Sequence, residues 1–293
     1  MVKDLFRQLT PPLVFSMLRS LYKHVNVETP IYEGLYRNQA ELPLINKNPF
    51  AHPNWIAYAG SRARSRKNGV TNQDMHEMCL SLIASIMPAA NKEEPQTIVD
   101  FGGGVGMYWP ALMAQNKAEV NTEFLVIDNE SNCIEGKRLF GDQGVDFQSN
   151  FAHAIQSKKN ITVLNVASTL QYCMDYEHVV AMLCGIRAKF IVVSRHPAPD
   201  DALPITYTVQ SVTSIHGFCG QIPVVLLGVD TLSALMKKHG YTLIADYYHD
   251  ADPGKYWKYT KKTIPTEYSR IIDHALVFQC NQRDGILDTS QTS

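Results

Sequence analysis

No two of the six cysteines stand at Cys-x-x-Cys spacing, and no His/Cys cluster resembles a zinc site, so no metal is expected. Scattered along the chain, the cysteines read as reduced core thiols of a cytoplasmic protein. No apolar run is long enough to span a bilayer. Arg7 and the Pro11-Pro12 pair interrupt any signal-peptide core at the N-terminus. Neither sign of charge dominates: 27 Lys and Arg against 28 Asp and Glu leave a net charge of −1, which argues against a nucleic-acid partner. Internal repeats and low-complexity tracts are absent. What remains is 293 residues with 45% apolar content, enough for one large domain or one domain with a cap.

Against that plain background one run stands out, Asp100-Phe101-Gly102-Gly103-Gly104-Val105-Gly106. It follows Thr97-Ile98-Val99, which reads as a buried strand, and precedes Met107 to Lys117, which reads as a helix. Strand, glycine turn and helix together make a nucleotide-cofactor cradle. Glycines take positive φ and let a ligand approach with no Cβ in the way. The helix start offers unpaired N–H groups and the positive end of its dipole. A dinucleotide fingerprint would place its third glycine at 107, where Met107 stands. An acid two residues ahead of the first glycine would also repel a pyrophosphate. It suits a cationic ligand such as S-adenosylmethionine (SAM), whose ammonium Asp100 can pair with directly or through water.

Asp100, Gly102, Gly104 and Gly106 match every fixed position of Asp/Glu-x-Gly-x-Gly-x-Gly, and here the chain resembles the class I SAM-dependent methyltransferases. The resemblance covers about 97–282. Asp128 ends the run Glu123 to Ile127 and lies 22 residues past Gly106, where a carboxylate can accept hydrogen bonds from both ribose hydroxyls. Its alternative is a helix cap or loop acid. The resemblance implies adenine contacts at Asn150 and Phe151, against a polar turn plus one core aromatic. It also puts Ser168, past the fourth strand, beside the cofactor. Further cues are Tyr32-Glu33-Gly34-Leu35-Tyr36, Asp100 to Gly104, Ser194-Arg195-His196-Pro197 read as a turn, Thr208-Val209-Gln210 and Gly240-Tyr241. In these the chain is similar to a poorly characterised methyltransferase family associated with bacterial surface-polysaccharide synthesis.

The implied fold is α/β: a Rossmann-like, doubly wound, seven-stranded sheet ending in an antiparallel hairpin, plus a mainly helical N-terminal extension. The expected strands are 97–101, 123–128, near 145–149, 161–166, 190–194, 241–247 and 274–280. The expected helices are 106–117, near 130–140, near 175–186 and 230–239. Residues 1–90 read as the extension or cap, 91–283 as the SAM-binding domain and 284–293 as a tail. Residues 1 to about 70 look irregular, while 71–88 look like one helix with Thr71 or Asn72 as N-cap. Leu13 to Lys23 could form an amphipathic helix that packs on the main domain, a partner subunit or a membrane surface.

For an O-methylation the acceptor hydroxyl must lose a proton. His196, placed just past the fifth strand, and His216 are the candidate bases. Each has the alternative of a hydrogen-bonded loop residue. Ser61 to Lys67 is the one dense basic cluster, suited either to an anionic acceptor such as a phosphorylated sugar or nucleotide-sugar, or to a solvated helix face. Tyr108-Trp109 reads as packing for the helix after the glycine turn. The resulting expectation is a SAM-dependent methyltransferase acting on a small molecule, an oxygen of a sugar or related metabolite. The rivals are an NAD(P)-dependent oxidoreductase and a non-catalytic SAM-fold subunit that binds a partner.

Overall fold

Five strands with buried apolar residues form the parallel part of the main sheet. The computed structural model describes residues 32–45, 49–67, 96–115, 122–156, 158, 161–199, 202–212, 220–248 and 271–281. In chain order its elements are β1 (Tyr32–Tyr36), α1 (Pro53–Lys67), β2 (Gln96–Phe101), α2 (Tyr108–Gln115), β3 (Thr122–Ile127), α3 (Glu130–Phe140), β4 (Val145–Gln148), α4 (Phe151–Gln156), β5 (Ile161–Ala167), α5 (Tyr176–Gly185), β6 (Phe190–Ala198), β7 (Thr206–Val212), β8 (Gly220–Leu226), α6 (Val229–Lys238), β9 (Tyr241–Tyr248) and β10 (Ile272–Cys280). The seven-stranded sheet runs β4-β3-β2-β5-β6-β10-β9. Its first five strands are parallel, and β10 is antiparallel to both β6 and β9. This is the Rossmann-like sheet with a C-terminal hairpin.

Alternation along each strand sends neighbouring side chains to opposite faces. Ile98, Phe124, Val163, Val192 and Val277 pack with Trp109 and Leu112 of α2, Ala59 and Ala63 of α1, and Phe140 of α3. Val99, Leu125, Leu164, Ile191 and Phe278 pack with Ala154 of α4, Val180 and Leu183 of α5, and Leu232 and Met236 of α6. Tyr108 and Trp109 are buried, with the Trp109 ring 5.3 Å from Phe124, as packing residues should be. Cys133, Cys173, Cys184 and Cys280 are free thiols.

Three features differ from the sequence reading. Tyr32–Tyr36 is a strand, and it joins β7 and β8 in a separate three-stranded antiparallel sheet. Residues of the expected N-terminal extension therefore complete a sheet with residues of the expected cofactor domain. Residues 53–67, read as irregular, form a 15-residue helix. Ser194 to Pro197 is no turn: β6 runs on to Ala198 because β10 pairs with it all the way to Ile272↔Ala198. Its other neighbour, β5, stops opposite Ser194, so Pro197 lies where no ladder bond on that side is required. The expected helices at 13–23 and 71–88 and the tail at 284–293 lie outside the described residues.

Gly136 shows how tightly α3 is docked. A Cβ there would overlap the Phe147 ring on β4. Alanine normally stabilises a helix interior over glycine by about 0.5–1 kcal/mol. Here overpacking, typically about 1–3 kcal/mol, is expected to dominate. Gly136→Ala should lower the urea midpoint; a raised midpoint would show that Phe147 moves aside at no cost.

Candidate cofactor and acceptor site

The residues between β2 and α2 form the predicted turn, and all three fixed glycines need their special backbone. Gly102, Gly104 and Gly106 have φ of +73°, +59° and +80°, a region costly for other residues. Their surroundings differ. A side chain at Gly102 would run into Thr169, and one at Gly106 would come within 2.9 Å of Phe147. At Gly104 a Cβ would meet nothing within 4 Å. The loop presents open space at this one of its three positive-φ glycines.

Backbone and side-chain bonds hold the loop. Gly102 N–H donates to Ile127 O at 2.8 Å, and Gly106 N–H to Gly103 O at 3.0 Å. Gly104 N–H donates to Asp128 Oδ2 at 2.7 Å. The other carboxylate oxygen of Asp128 accepts from Asn129 N, Asn129 Nδ2 and Asn132 Nδ2, at 2.7–2.8 Å. Asp128 is thus a loop anchor, in keeping with the loop-acid alternative. Oδ1 is saturated, and Oδ2 keeps a lone pair for a further donor.

Asp100 lies beneath the loop, fully buried, where a Cβ on Gly103 would overlap its carboxylate. Asn165 Nδ2 donates to Oδ1 at 2.8 Å, and Oδ2 has no partner. Burial pushes the Asp100 pKa up to about 7; Asn165 pulls it partly back, and the Asp128 carboxylate adds to the rise. Asn165 Oδ1 and Ser194 Oγ are also buried without partners. Neither was singled out from the sequence as a site residue, although each is a polar residue at the end of an apolar run, within β5 and β6.

Ser168 follows β5 with φ +52°; its N–H donates to Ser194 O at 2.8 Å, and its hydroxyl accepts from Gln171 at 3.2 Å. Asn150 is exposed, and its side-chain oxygen accepts from His153 N at 3.0 Å, capping α4. Phe151 is half-buried, edge-to-face against Phe101 at 5.7 Å. Ser168, Asn150 and Phe151 all lie at the carboxyl ends of the parallel strands, the side where doubly wound sheets bind ligands.

His196 is inside β6 rather than past it. It is wholly buried, with Nε2 2.9 Å from Leu227 O and Nδ1 unpartnered. Burial brings its pKa down to about 4. No part of the ring reaches solvent, so in this conformation it is not placed to take a proton from an acceptor. His216 lies outside the described residues. Arg64 of the basic cluster pairs with Glu135 of α3 at 3.5 Å, and Arg62 lies 5.9 Å over the Tyr58 ring. The first contact ties α1 to α3, the second lies within α1, and together they engage part of the cluster that could have served an anionic acceptor.

The small sheet borders the tips of β5 and β6. Val224 and Leu226 pack with Ile271, Leu35 and Tyr172, and Tyr172 donates its hydroxyl to Gln210 Oε1 at 2.9 Å. Among the described residues no cluster could hold a metal ion, and no helix is long and apolar enough to cross a membrane.

No family model and no curated protein matches the chain. Solved structures do. One is the 1,6-didemethyltoxoflavin-N1-methyltransferase of Burkholderia thailandensis with 1,6-didemethyltoxoflavin and S-adenosylhomocysteine bound: 9% identity, 83% of this chain and 93% of that one, TM-score 0.47. A SAM-dependent methyltransferase from Clostridium acetobutylicum aligns at 7% identity over 77% of this chain and all of the other, TM-score 0.48. The N-terminal domain of EvdMO1, with S-adenosylhomocysteine and D-fucose present, aligns at 13% identity over 80% of this chain and 100% of its own, TM-score 0.46. At such levels these are likenesses of chain path alone.

Asp100 yields a test. Its native pKa of about 7 lies above the ordinary 3.8. The native fold therefore holds its proton more tightly, and stability present below about pH 4 is lost as pH rises through 7. Asp100→Asn removes that loss. Relative to the parent it should gain stability by an amount growing from pH 4 to 7, on the order of 4 kcal/mol by pH 8. A pH-independent difference in denaturation midpoint would mean that Asp100 titrates normally.

Proposed function

We propose that the chain is a SAM-dependent methyltransferase whose acceptor is an oxygen of a small molecule, a sugar or related metabolite. The observation that carries the cofactor reading is the glycine loop: Gly104 is left-handed and faces empty space, while its neighbour Gly103 lies against the buried Asp100 carboxyl, which has an unpartnered oxygen. SAM brings one ammonium and one sulfonium cation, and supplies a methyl group primed for in-line displacement. In this reading Asp100, sealed beneath the loop, pairs with the ammonium through water, and its raised pKa falls when the cation arrives. The free lone pair of Asp128 Oδ2 takes a ribose hydroxyl. Asn150 and Phe151 border the adenine, and Ser168 lines the crevice between donor and acceptor.

A pyrophosphate cofactor fits these residues poorly. The loop amide it would need, Gly104 N–H, already donates to a carboxylate, and a second carboxyl lies beneath the loop. The acceptor reading rests on the family cues in the sequence. Two of them, Tyr32 to Tyr36 and Thr208 to Gln210, pair strand to strand as Tyr32↔Gln210 and Glu33↔Val209. That pairing makes them one structural unit and supports treating them as one signature.

Gly104→Asn tests the cradle, because asparagine tolerates positive φ while its side chain fills the open space. The variant should melt within a few degrees of the parent. SAM at 100 times its Kd should stabilise the parent by about 2.7 kcal/mol and leave the variant unmoved. An equal shift in both would place the donor elsewhere.

A further inference from the structure

We propose that His274, oriented by Asp246, takes the proton from the acceptor hydroxyl as its oxygen is methylated. This deepens the proposed function and rests on it.

The place follows from topology. β10 is antiparallel, so its first residues and the last residues of β9 lie at the end of the sheet where β2, β5 and β6 finish. That is the crevice end. Within it His274 sits opposite His196 on β6 and opposite Tyr248 on β9. His274 Nδ1 is 2.8 Å from Asp246 Oδ1. A carboxylate there fixes the tautomer with the proton on Nδ1 and leaves the Nε2 lone pair as the acceptor. No described residue hydrogen-bonds Nε2, and the side chain keeps 15% exposure. His196 has the opposite character: buried, uncharged, and bound through Nε2 to a backbone carbonyl. Of the two facing histidines, only His274 combines a carboxylate partner with access to solvent.

The backbone is irregular at this point. The pairs Ser194↔Ala275 and His196↔His274 leave Arg195 as an extra residue on β6, at φ +51°. Such a bulge re-aims side chains and costs local strain, and bulges collect beside active sites. Other charged or titratable groups around His274 are Asp246 and Tyr248 from β9, His196 from β6 and Asp273 on its own strand. The Arg195 cation and the Asp273 carboxylate both act on Tyr172, the cation pulling its burial-raised pKa down and the carboxylate pushing it up. Tyr172 thereby links this edge to the small sheet.

The step balances. The acceptor oxygen forms a bond to the donor methyl, the carbon–sulfur pair stays on sulfur, and the O–H proton passes to His274 Nε2. The products are a methyl ether, a neutral thioether and an imidazolium facing Asp246, which returns the proton to solvent.

The full chain labelled with ¹⁵N-histidine reads the tautomer directly, the ring being assigned by its loss in His274→Gln. His274 should appear as the Nδ1–H form, and Asp246→Ala should move it toward Nε2–H. With SAM and a panel of phenol, catechol and methyl glycosides, His274→Gln should release S-adenosylhomocysteine at least about 100-fold more slowly. Its SAM affinity by calorimetry should be unchanged. An Nε2–H ring in the parent, or undiminished release by His274→Gln, overturns the proposal. If the parent turns over none of the panel, the tautomer decides alone. A parent that binds no SAM overturns the methyltransferase reading itself, and this proposal with it.

Discussion

The glycine turn depends on one charge-assisted bond, from Gly104 N–H to Asp128 Oδ2 at 2.7 Å. Alternate left-handed residues give the loop its shape, but such a loop has many other conformations open to it, because glycine restricts so little. The carboxylate that selects one is itself immobilised by three donors from the first turn of α3 and the residue before it. The β3–α3 junction therefore holds the β2–α2 loop in place. One side chain couples two neighbouring βα units, and its negative charge also helps to keep the proton on Asp100. Loop shape and local electrostatics have the same source.

Beneath that loop the sheet departs from an apolar interior. Asp100, Asn165 and Ser194 lie on three adjacent strands, all buried, each with an unpartnered polar atom. Burying an unsatisfied polar group costs free energy that a core of valines would not. The same strands are wholly apolar one turn of the pleat below, at Ile98, Val163 and Val192. The polar row is confined to the crevice end, which is where a cationic ligand would find acceptors already dehydrated and positioned. Local cost traded against preorganisation of a site is the common pattern at such positions.

What was legible in the sequence was local. The glycine turn, the strands around it and α3 at 130–140 all follow from patterns within a dozen residues, and the structure repeats them closely. What was not legible depends on partners far along the chain. Tyr32 to Tyr36 is too short to read as a strand, and its partner β7 lies more than 170 residues away. Ser194 to Pro197 looks like a turn because it contains a proline, yet β10 carries the ladder past it. His196 looked available because it followed an apolar run. Only the return of the chain through Leu227 shows that it is sealed. His274 reads as one more strand residue until the hairpin register brings Asp246 beside it.

That division between local and distant signals maps onto the two halves of the site. The donor half is built from successive βα turns, so its motif survives as a contiguous string. On the proposed reading the acceptor half is assembled from β1, the β7–β8 hairpin and the tips of β6, β9 and β10, joined by contacts such as Tyr172 to Gln210. No short string can encode it, because each contact spans tens of residues or more. The segment between β6 and α6 can vary without disturbing the glycine turn, since among the described residues none of the bonds that hold the turn comes from it. Acceptor choice is then free to change while the cradle stays fixed. On that reading the identity of the acceptor is to be sought in Tyr172, Arg195, Gln210 and the His274–Asp246 pair, not in the motif that first draws the eye.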